Sequence, residues 1–541
     1  MVILTNQGLS QRNKTMKVLV SDPLGEIGIK IFEKTPGIDV DVKTGLSPEQ
    51  LKEIIGQYDG LVIRSATRVT ADILSAATRL KAIGRAGIGL DNVDIPAATQ
   101  RGIAVMNTPF GNTITTAEHT ISMLMSLSRN IPQATMALKQ GRWEKKKLQG
   151  RELFNKTLGL IGYGNIGSIV ADLARGLKMN VIVFDPYINP KVLSEQGLTP
   201  VALDDLLGRS DYITIHTPRT EETTKMINKT TLAKMKRGAM LINCARGGIV
   251  NEDDLYESLA CGHLGGAALD VFEQEPPGEH KLMSLPNFIC TPHLGASTKE
   301  AQENVAKDVA EQMVDYLLNG TVKNAVNVPN MSGELITLLK PFATLAEKIG
   351  LLQAQLVDSG VEQVSVRYCG KISEYDVAPM TSALLKGMLT PVLKDDVNYI
   401  NAPVIAKERG IKVVEAKTPA SDDFASLIVV KVTSVESSNT VSGTIFGRDL
   451  QRILRINDFY LEAAPQGPVL LLDCANSPGV MGRVGTILGE HGINIDSMQM
   501  GRSAANDHQV AFIATSSTVS DEALYHLANC EGILANRRLE L

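Results

Sequence analysis

Three glycines at a fixed spacing carry a clear chemical signal. Gly162, Gly164 and Gly167 lie in GLIGYGNIG, after an apolar run and before a helical stretch. Glycines here permit a tight turn and let backbone N–H groups approach a pyrophosphate at a helix amino terminus. The following run, VIVFD, ends in Asp185, whose carboxylate can bind the hydroxyls of an adenine ribose. The motif predicts a dinucleotide site, with a purely structural turn as the alternative, and the charge of Asp185 favours NAD over NADP.

A second set of residues could perform hydride-transfer chemistry. Oxidation of an alcohol needs a base for the hydroxyl proton and a cation for the developing negative charge. Among the eight histidines, His293 lies in the loop PHLGAS at the end of a parallel α/β region, where sites of this kind are built. The histidines show no spacing typical of metal ligands, so we expect no metal site.

Composition limits the classes of function. The chain has 541 residues, which predicts three or four domains, with 44% hydrophobic and 4% aromatic residues and a net charge of −5. Scattered basic residues and few aromatics argue against nucleic acid as a partner. No run is long enough to predict a membrane span, and six cysteines without a CxxC motif suit a reducing compartment, which favours the cytoplasm. Residues 1 to 15 are expected to be a leader or a start assigned too early.

The elements that must position these residues form two successive α/β patterns. Short apolar runs alternate with helical stretches from Met16 to Asn107, and again from Lys156 to Phe272, which predicts two parallel sheets of Rossmann-like type. A long helix over Thr113–Ser128 is expected to cross between them. A second periodic helix, Glu300–Leu318, is expected to return the chain to the first sheet. We therefore predict a discontinuous substrate-binding domain (16–112 and 296–326) around a NAD-binding domain (113–295).

The remaining chain predicts two smaller units. Residues 327–463 combine a helical stretch, Pro341–Val357, with β-rich runs, which indicates an α+β regulatory domain. Residues 468–541 show the order strand, helix, strand, strand, helix, strand, the ferredoxin-like βαββαβ unit. The expected strands are 468–473, 493–500, 508–515 and 532–539, and the expected helices are 480–490 and 521–529.

Several blocks of sequence carry a family resemblance. LINCARGGIVNEDDL (241–255), GAALDVFEQEPP (266–277) and PHLGASTKEAQ (292–302) resemble the signature blocks of D-isomer-specific 2-hydroxyacid dehydrogenases, in order and in spacing. The amino-terminal VIRSATRVTADIL, GRAGIGLDNVD and NTPFGNTITTAEH are most similar to the long-form branch that acts on 3-phosphoglycerate. The run NSPGVMGRVGTILGEHGINIDSMQMGR (476–502) resembles an ACT domain, a small-molecule sensor, and a purely structural unit is its alternative.

The resemblance implies roles for individual residues. Arg246 would bind the substrate carboxylate, His293 would be the acid and base, and Glu275 would support His293 as a carboxylate supports imidazole in a protease triad. Substrate binding is implied for Arg64, Ser65, Arg85, Gly87 and Asn107. Cofactor binding is implied for Gly162, Gly164, Asn165, Ile166, Gly167, Asp185, His216, Thr217, Cys244, Ala245, Arg246, Asp270, His293, Gly295 and Ala296.

The implied function is NAD-dependent oxidation of 3-phospho-D-glycerate to 3-phosphohydroxypyruvate, the entry step of L-serine synthesis. Asn476 and Asn494 stand where serine-regulated relatives hold their effector, so feedback by L-serine is a hypothesis. A homodimer or homotetramer is expected, because the crossover helix of this family usually joins subunits. Two alternatives stay open: a glyoxylate or hydroxypyruvate reductase of the same family, and an NAD-sensing protein that resembles corepressors.

Overall fold

The fold contains three β-sheets within the residues described by the computed structural model, which are 15–328, 333–357, 360–420, 424–503 and 508–541. Apart from Thr15, the segment before Met16 lies outside these residues. The first sheet has five parallel strands in the order β2-β1-β3-β4-β5. Its elements are β1 (Met16–Val20), α1 (Glu26–Lys34), β2 (Ile38–Val42), α2 (Pro48–Ile54), β3 (Gly60–Ile63), α3 (Ala71–Ala76), β4 (Ala82–Arg85), α4 (Ile95–Gln100) and β5 (Ala104–Met106).

The second sheet has seven parallel strands in the order β12-β11-β10-β9-β6-β7-β8. Helix α5 (Thr113–Ser128) leads into it and has the predicted bounds. The other elements are α6 (Ile131–Lys139), β6 (Thr157–Ile161), α7 (Asn165–Gly176), β7 (Asn180–Phe184), α8 (Pro190–Glu195), β8 (Thr199–Pro200), α9 (Leu203–Arg209), β9 (Tyr212–Ile215), α10 (Lys229–Lys234), β10 (Met240–Asn243), α11 (Glu252–Ala260), β11 (Gly266–Leu269) and β12 (Phe288–Cys290).

Both parallel sheets are buried on their two faces, which explains their short, continuous apolar strands. All four residues are buried in each of β3, β9, β10 and β11. Helix α12 (Lys299–Asn319) returns from the second sheet and packs Val305, Val309 and Met313 against the core of the first. It begins at Thr298, whose Oγ1 accepts the Ala301 N–H at 3.2 Å. The sequence prediction of two Rossmann-like parallel sheets is confirmed.

A third sheet of ten strands contains the remaining strands, in the order β14-β13-β15-β16-β17-β18-β20-β21-β19-β22. Its first part comprises α13 (Gly333–Leu356), β13 (Val361–Gly370), α14 (Ala378–Leu393), α15 (Ala402–Glu408), β14 (Lys412–Thr418), β15 (Ser426–Ser434), β16 (Ser438–Phe446), β17 (Leu450–Ile456) and β18 (Phe459–Ala463). Its second part comprises β19 (Pro468–Ala475), α16 (Val480–Glu490), β20 (Ile495–Arg502), β21 (His508–Thr515), α17 (Asp521–Ala528) and β22 (Ile533–Glu540).

The predicted βαββαβ order of the last unit is confirmed, but two features differ from the sequence prediction. Helix α13 starts at Gly333 and includes Pro341, whereas the predicted helix starts at that proline. Leu339, before the proline, is 2% exposed, so apolar burial extends the helix despite the missing proline N–H. The regulatory and ACT units also share one sheet, because Tyr460 of β18 pairs with Arg502 of β20.

The regulatory unit also contacts the unit built on the first sheet, at the end of α4. Asn398 Nδ2 donates to the Gly102 carbonyl at 2.9 Å, and Gln100 Nε2 donates to Glu408 Oε1 at 3.1 Å. Both contacts lie at the end of α4, just before β5. Helices long and apolar enough to cross a membrane are absent from the described ranges.

Candidate active site between the parallel sheets

The glycine loop joins β6 to α7 in a shape that requires glycine. Gly162 has a φ of +93°, and a Cβ there would lie 2.7 Å from the His216 carbonyl oxygen. A Cβ on Gly167 would lie 2.1 Å from the Gly162 oxygen, so α7 packs directly on the strand end. A Cβ on Gly164 would meet nothing within 4 Å, which leaves open space in front of Asn165. The loop thus leaves room for a phosphate at the amino terminus of α7, where Asn165 and Ile166 begin the helix.

Asp185 follows β7 at the same edge of the sheet. Its Oδ2 accepts the Tyr163 N–H at 2.8 Å, and its Oδ1 accepts the Tyr187 N–H at 2.9 Å. Two backbone donors therefore fix the carboxylate beside the glycine loop. This position suits the ribose of a dinucleotide whose pyrophosphate lies on that loop.

His216 and Thr217 follow β9 and lie against Gly162. His216 Nε2 lies 2.9 Å from Thr214 Oγ1, and burial lowers the pKa of His216 to about 3, so its ring is neutral. Thr217 Oγ1 is buried and, within the described part of the chain, has no hydrogen-bond partner. An orphaned hydroxyl beside the glycine loop fits a polar ligand. The residues present therefore fit a dinucleotide.

Arg246 lies after β10 and reaches the loop that follows β4. Its Nη1 donates to the Ala245 carbonyl at 2.7 Å, and its Nε donates to Asp91 Oδ2 at 3.2 Å. A Cβ on Gly89 would lie 2.3 Å from Arg246 Nη2, so the guanidinium fills the space above that glycine.

Nearby Cys244 is buried, and its burial, with the charge of Asp270, raises the pKa of its thiol to about 12. Cys244 is therefore a protonated packing residue.

His293 and Glu275 form a close acid–base pair. Nδ1 of His293 lies 2.7 Å from Oε2 of Glu275, while Oε1 accepts the Phe272 N–H at 3.1 Å. The hydrogen bond to Glu275 raises the pKa of His293, against the opposing effect of burial. Glu273, in contrast, is held through its backbone N–H by Glu252 Oε1 at 2.6 Å. The geometry thus brings Glu275 and not Glu273 to the imidazole.

Asp270 is fully buried and holds the loop around His293. Its backbone carbonyl accepts the His293 N–H at 2.9 Å. Its side chain accepts the Leu294 N–H at 2.7 Å and the Gly295 N–H at 2.8 Å. Ala296, next in the chain, is half-buried. The loop that carries the candidate base is therefore fixed to the end of β11.

Arg85 brings a second cation to the cleft. Burial, together with the positive charges of Arg246 and Arg64, lowers the pKa of Arg85 to about 10, against the opposing charges of Asp91 and Asp22. Its Nε is buried without a partner among the described residues. Gly87 has a φ of +146°, and a Cβ there would lie 2.1 Å from Arg85 Nη1. Three guanidinium groups therefore share one region, which is favourable for an anion of high charge.

The other predicted substrate residues border the same loops. The Arg64 N–H donates to Asp22 Oδ2 at 2.6 Å, and Ser65 is exposed. Asn107 Nδ2 donates to the Ile88 carbonyl at 2.6 Å, so its amide holds the loop after β4. Asn107 is thus placed to shape the cleft.

The two candidate effector residues lie far along the chain, on the ACT unit. Asn476 and Asn494 are both exposed, and Asn494 Nδ2 donates to Asp496 Oδ1 at 3.1 Å. Within the part of the chain that is described, no hydrogen bond joins the two asparagines. They belong to separate loops, after β19 and before β20.

Sequence reasoning missed three residues that the fold brings to the cleft: Asp91, His119 and Thr291. Asp91 pairs with Arg246, and His119 on α5 lies 3.3 Å from Asp270. Thr291 donates to Asp270 Oδ1 at 2.5 Å. The sequence does contain a pattern that could have indicated His119. It lies three residues after Thr116, so the two polar side chains share one face of the predicted helix.

Family models match three segments. Residues 121–295 match the D-isomer specific 2-hydroxyacid dehydrogenase NAD binding domain, residues 338–457 match the D-3-phosphoglycerate dehydrogenase intervening domain, and residues 468–525 match the ACT domain. The fold and the cleft thus define an NAD-binding enzyme of the D-isomer specific 2-hydroxyacid dehydrogenase class.

Comparison with whole sequences narrows this class. The chain is 42% identical over 524 residues to a D-3-phosphoglycerate dehydrogenase of Synechocystis, covering 96% of this chain and 94% of the relative. It is 41% identical over 529 residues to that of Archaeoglobus fulgidus, covering 97% and 100%. The chain belongs to the D-3-phosphoglycerate dehydrogenase family.

Solved structures match more than half of the chain. The TT0316 protein of Thermus thermophilus matches with a TM-score of 0.54 and 35% identity, covering 57% of this chain and 100% of that one. The D-lactate dehydrogenase of Aquifex aeolicus, solved with NAD and lactic acid, matches with a TM-score of 0.51 and 28% identity, covering 58% and 100%.

Proposed function

We propose that this enzyme oxidises 3-phospho-D-glycerate at C2 to 3-phosphohydroxypyruvate with NAD. The observation that carries the proposal is the His293–Glu275 pair, at 2.7 Å, in a cleft that also contains three arginines. A base is needed for the C2 hydroxyl proton, and cations are needed for a carboxylate and a phosphate.

The chain's own residues would divide the work as follows. Gly162, Gly164 and Asp185 would hold the cofactor, which when bound supplies the acceptor for the C2 hydride. His293 Nε2 would take the hydroxyl proton, while Glu275 accepts the Nδ1 hydrogen bond and stabilises the imidazolium. Arg246 would bind the substrate carboxylate and polarise the C2 oxygen.

The proposed phosphate ligands are Arg64 and Arg85, with Ser65 and the backbone of Gly87 beside them. A glyoxylate or hydroxypyruvate reductase, the alternative within this class, has no need of a phosphate site. The solved structure of a glyoxylate reductase of Paecilomyes thermophila is 28% identical to this chain, with a TM-score of 0.54. The match covers 58% of this chain and 98% of the reductase. The two functions are separated by kcat/KM for 3-phosphoglycerate against D-glycerate, in the wild type and in Arg64→Ala. Loss of the preference in Arg64→Ala supports the phosphate role, whereas a wild type that prefers D-glycerate contradicts it.

We infer that the reaction begins L-serine biosynthesis and that L-serine regulates it through the ACT unit. Asn476 and Asn494 supply exposed polar side chains on two loops of that unit. Excess L-serine is expected to lower activity and raise the Tm, because a ligand stabilises the state that it binds. No change in either quantity would contradict regulation by L-serine.

We propose that two copies associate through an apolar surface on α5, α6 and the adjoining loops. Ile114, Trp143 and Phe154 are 62%, 81% and 59% exposed there. Large apolar side chains exposed in one region would mark an interface if they form a contiguous surface. Light scattering is expected to give the mass of a dimer or a tetramer, and a monomer at all concentrations would contradict this.

We propose a cytoplasmic location, supported by the free thiols of all six cysteines. Fractionation of cells with an antibody to the chain tests this location, and recovery from an oxidising compartment would contradict it. The corepressor-like alternative predicts NADH binding without turnover of any 2-hydroxy acid. Turnover of 3-phosphoglycerate excludes that alternative as the main function.

A further inference from the structure

The loop that carries His293 is held in an unfavourable backbone conformation. His293 has a φ of +54°, a region that residues with a side chain seldom adopt. Such a conformation persists only where the surroundings enforce it. Here the side chain of Asp270 binds the next two N–H groups of the loop, those of Leu294 and Gly295. The position of the imidazole therefore depends on Asp270.

Two side chains of helix α5 contact Asp270 and the loop 291–295. His119 Nε2 lies 3.1 Å from Thr291 Oγ1 and 3.3 Å from Asp270 Oδ1, and its side chain is 19% exposed. One turn earlier, Thr116 Oγ1 donates to the Gly295 carbonyl at 2.9 Å. One face of α5 thus holds both ends of the loop 291–295.

Hydrogen bonds and nearby charges set the protonation of Asp270 and His293. Burial raises the pKa of Asp270, but the hydrogen bonds from His119, Thr291 and Leu294 outweigh it, so the net pKa of Asp270 is lowered. Ionised Asp270 and Glu275 both raise the pKa of His293, whereas Arg246 lowers it. The charge of Asp270 also acts on the Cys244 thiol, which stays protonated because burial raises its pKa to about 12.

We propose that His119 is a positioning residue for His293 and acts through Asp270 and Thr291 to fix the loop 291–295. The proposal rests on the reaction given under Proposed function. His119 itself touches neither the proton acceptor nor Arg246 in the described contacts. Its effect must therefore be on the placement and the proton affinity of His293.

The test compares His119→Leu with His119→Gln, since glutamine retains an N–H donor of similar reach. We measure kcat, KM for both substrates and the pH dependence of kcat/KM from about pH 6 to 9. His119→Leu is expected to lower kcat about tenfold, because a misplaced base loses rate steeply with distance. The acidic limb of the kcat/KM profile of His119→Leu moves to higher pH. Without the hydrogen bond from His119, the negative charge of Asp270 acts more strongly on His293 and raises its pKa. His119→Gln restores most of kcat and the wild-type limb.

A matched control and a second variant complete the test. His263 Nε2 donates to the Leu232 carbonyl oxygen, 3.0 Å away in the unit built on the second sheet, and His263→Gln should leave the pH profile unchanged. Thr291→Val should reproduce the effect of His119→Leu, and KM for NAD should stay within about twofold in all variants.

The outcomes separate the two proposals. A wild type without turnover of 3-phosphoglycerate removes the proposed function. An active wild type with an unchanged kcat and profile in His119→Leu overturns the positioning role alone. The positioning role is also overturned if His119→Gln loses as much kcat and as much Tm as His119→Leu. That result would show that His119 contributes only to packing.

Discussion

Replacing Glu275 with glutamine isolates the charge that supports His293. Glutamine has the same shape and keeps a carbonyl oxygen for the Phe272 N–H, which Glu275 Oε1 accepts at 3.1 Å. The change removes the negative charge 2.7 Å from His293 Nδ1. Folding should therefore be retained while the proton affinity of His293 falls.

The magnitude follows from the geometry and the exposure of the pair. Unit charges about 4 Å apart interact by about 4 kcal/mol at an effective dielectric of about 20. The side chains of His293 and Glu275 are 51% and 38% exposed, so solvent screening reduces this value. A remaining effect of roughly 1.4 kcal/mol corresponds to about one pH unit.

The sign is fixed by the direction of the reaction. Glu275 raises the pKa of His293, and oxidation requires the unprotonated imidazole. Glu275→Gln should therefore move the acidic limb of kcat/KM about one unit to lower pH, and lower the plateau about tenfold through loss of imidazolium stabilisation.

Stopped-flow measurement of NADH formation over the pH range tests this. Glu273→Gln is the matched control, because Glu273 contacts Glu252 through its backbone and its variant should keep the wild-type limb. If the acidic limb of kcat/KM for Glu275→Gln coincides with that of the wild type, Glu275 does not set the proton affinity of His293.

Three further predictions concern the same fold. Gly167→Ala should abolish NADH binding measured by fluorescence, because its Cβ would lie 2.1 Å from the Gly162 oxygen, whereas Gly485→Ala, in open space, should bind normally. Normal binding by Gly167→Ala would contradict the packing of the loop. Asp185→Ser should raise KM for NAD and improve the use of NADP, and unchanged cofactor preference would contradict the ribose role. The pKa of Glu275 is lowered from 4.5 and that of His293 is raised from 6.5, so the Tm difference between wild type and Glu275→Gln should be largest between these pH values. It should shrink as pH falls through the folded pKa of Glu275 or rises through that of His293, and a constant difference would contradict the ion pair.

Elements with strong periodicity were predictable from the sequence. The bounds of α5 and α16 agree with the predicted 113–128 and 480–490, since apolar residues recur at helical spacing in both. The glycine loop was equally predictable, because its spacing follows from the close approach of α7 to the strand. The choice of Glu275 over Glu273 needed the family resemblance, since both carboxylates lie in one irregular loop.

Other features depend on contacts that no local pattern encodes. The shared sheet is joined by the pairing of Tyr460 with Arg502, and the contact of Asn398 with Gly102 joins units almost three hundred residues apart. His119 lies on a helix that the sequence predicts, but only the fold places it beside Asp270. Long-range pairings of this kind are set by tertiary packing and not by propensity.

The most direct test of His293 as the base is NADH formation from 3-phosphoglycerate by the wild type and by His293→Ala, with NADH binding measured in parallel. We predict rapid turnover by the wild type, a loss of at least about a hundredfold in kcat for His293→Ala, and an NADH Kd within about twofold of the wild type. No turnover by the wild type would contradict the proposed reaction, and equal losses of turnover and NADH binding in the variant would contradict the role of His293 as the base.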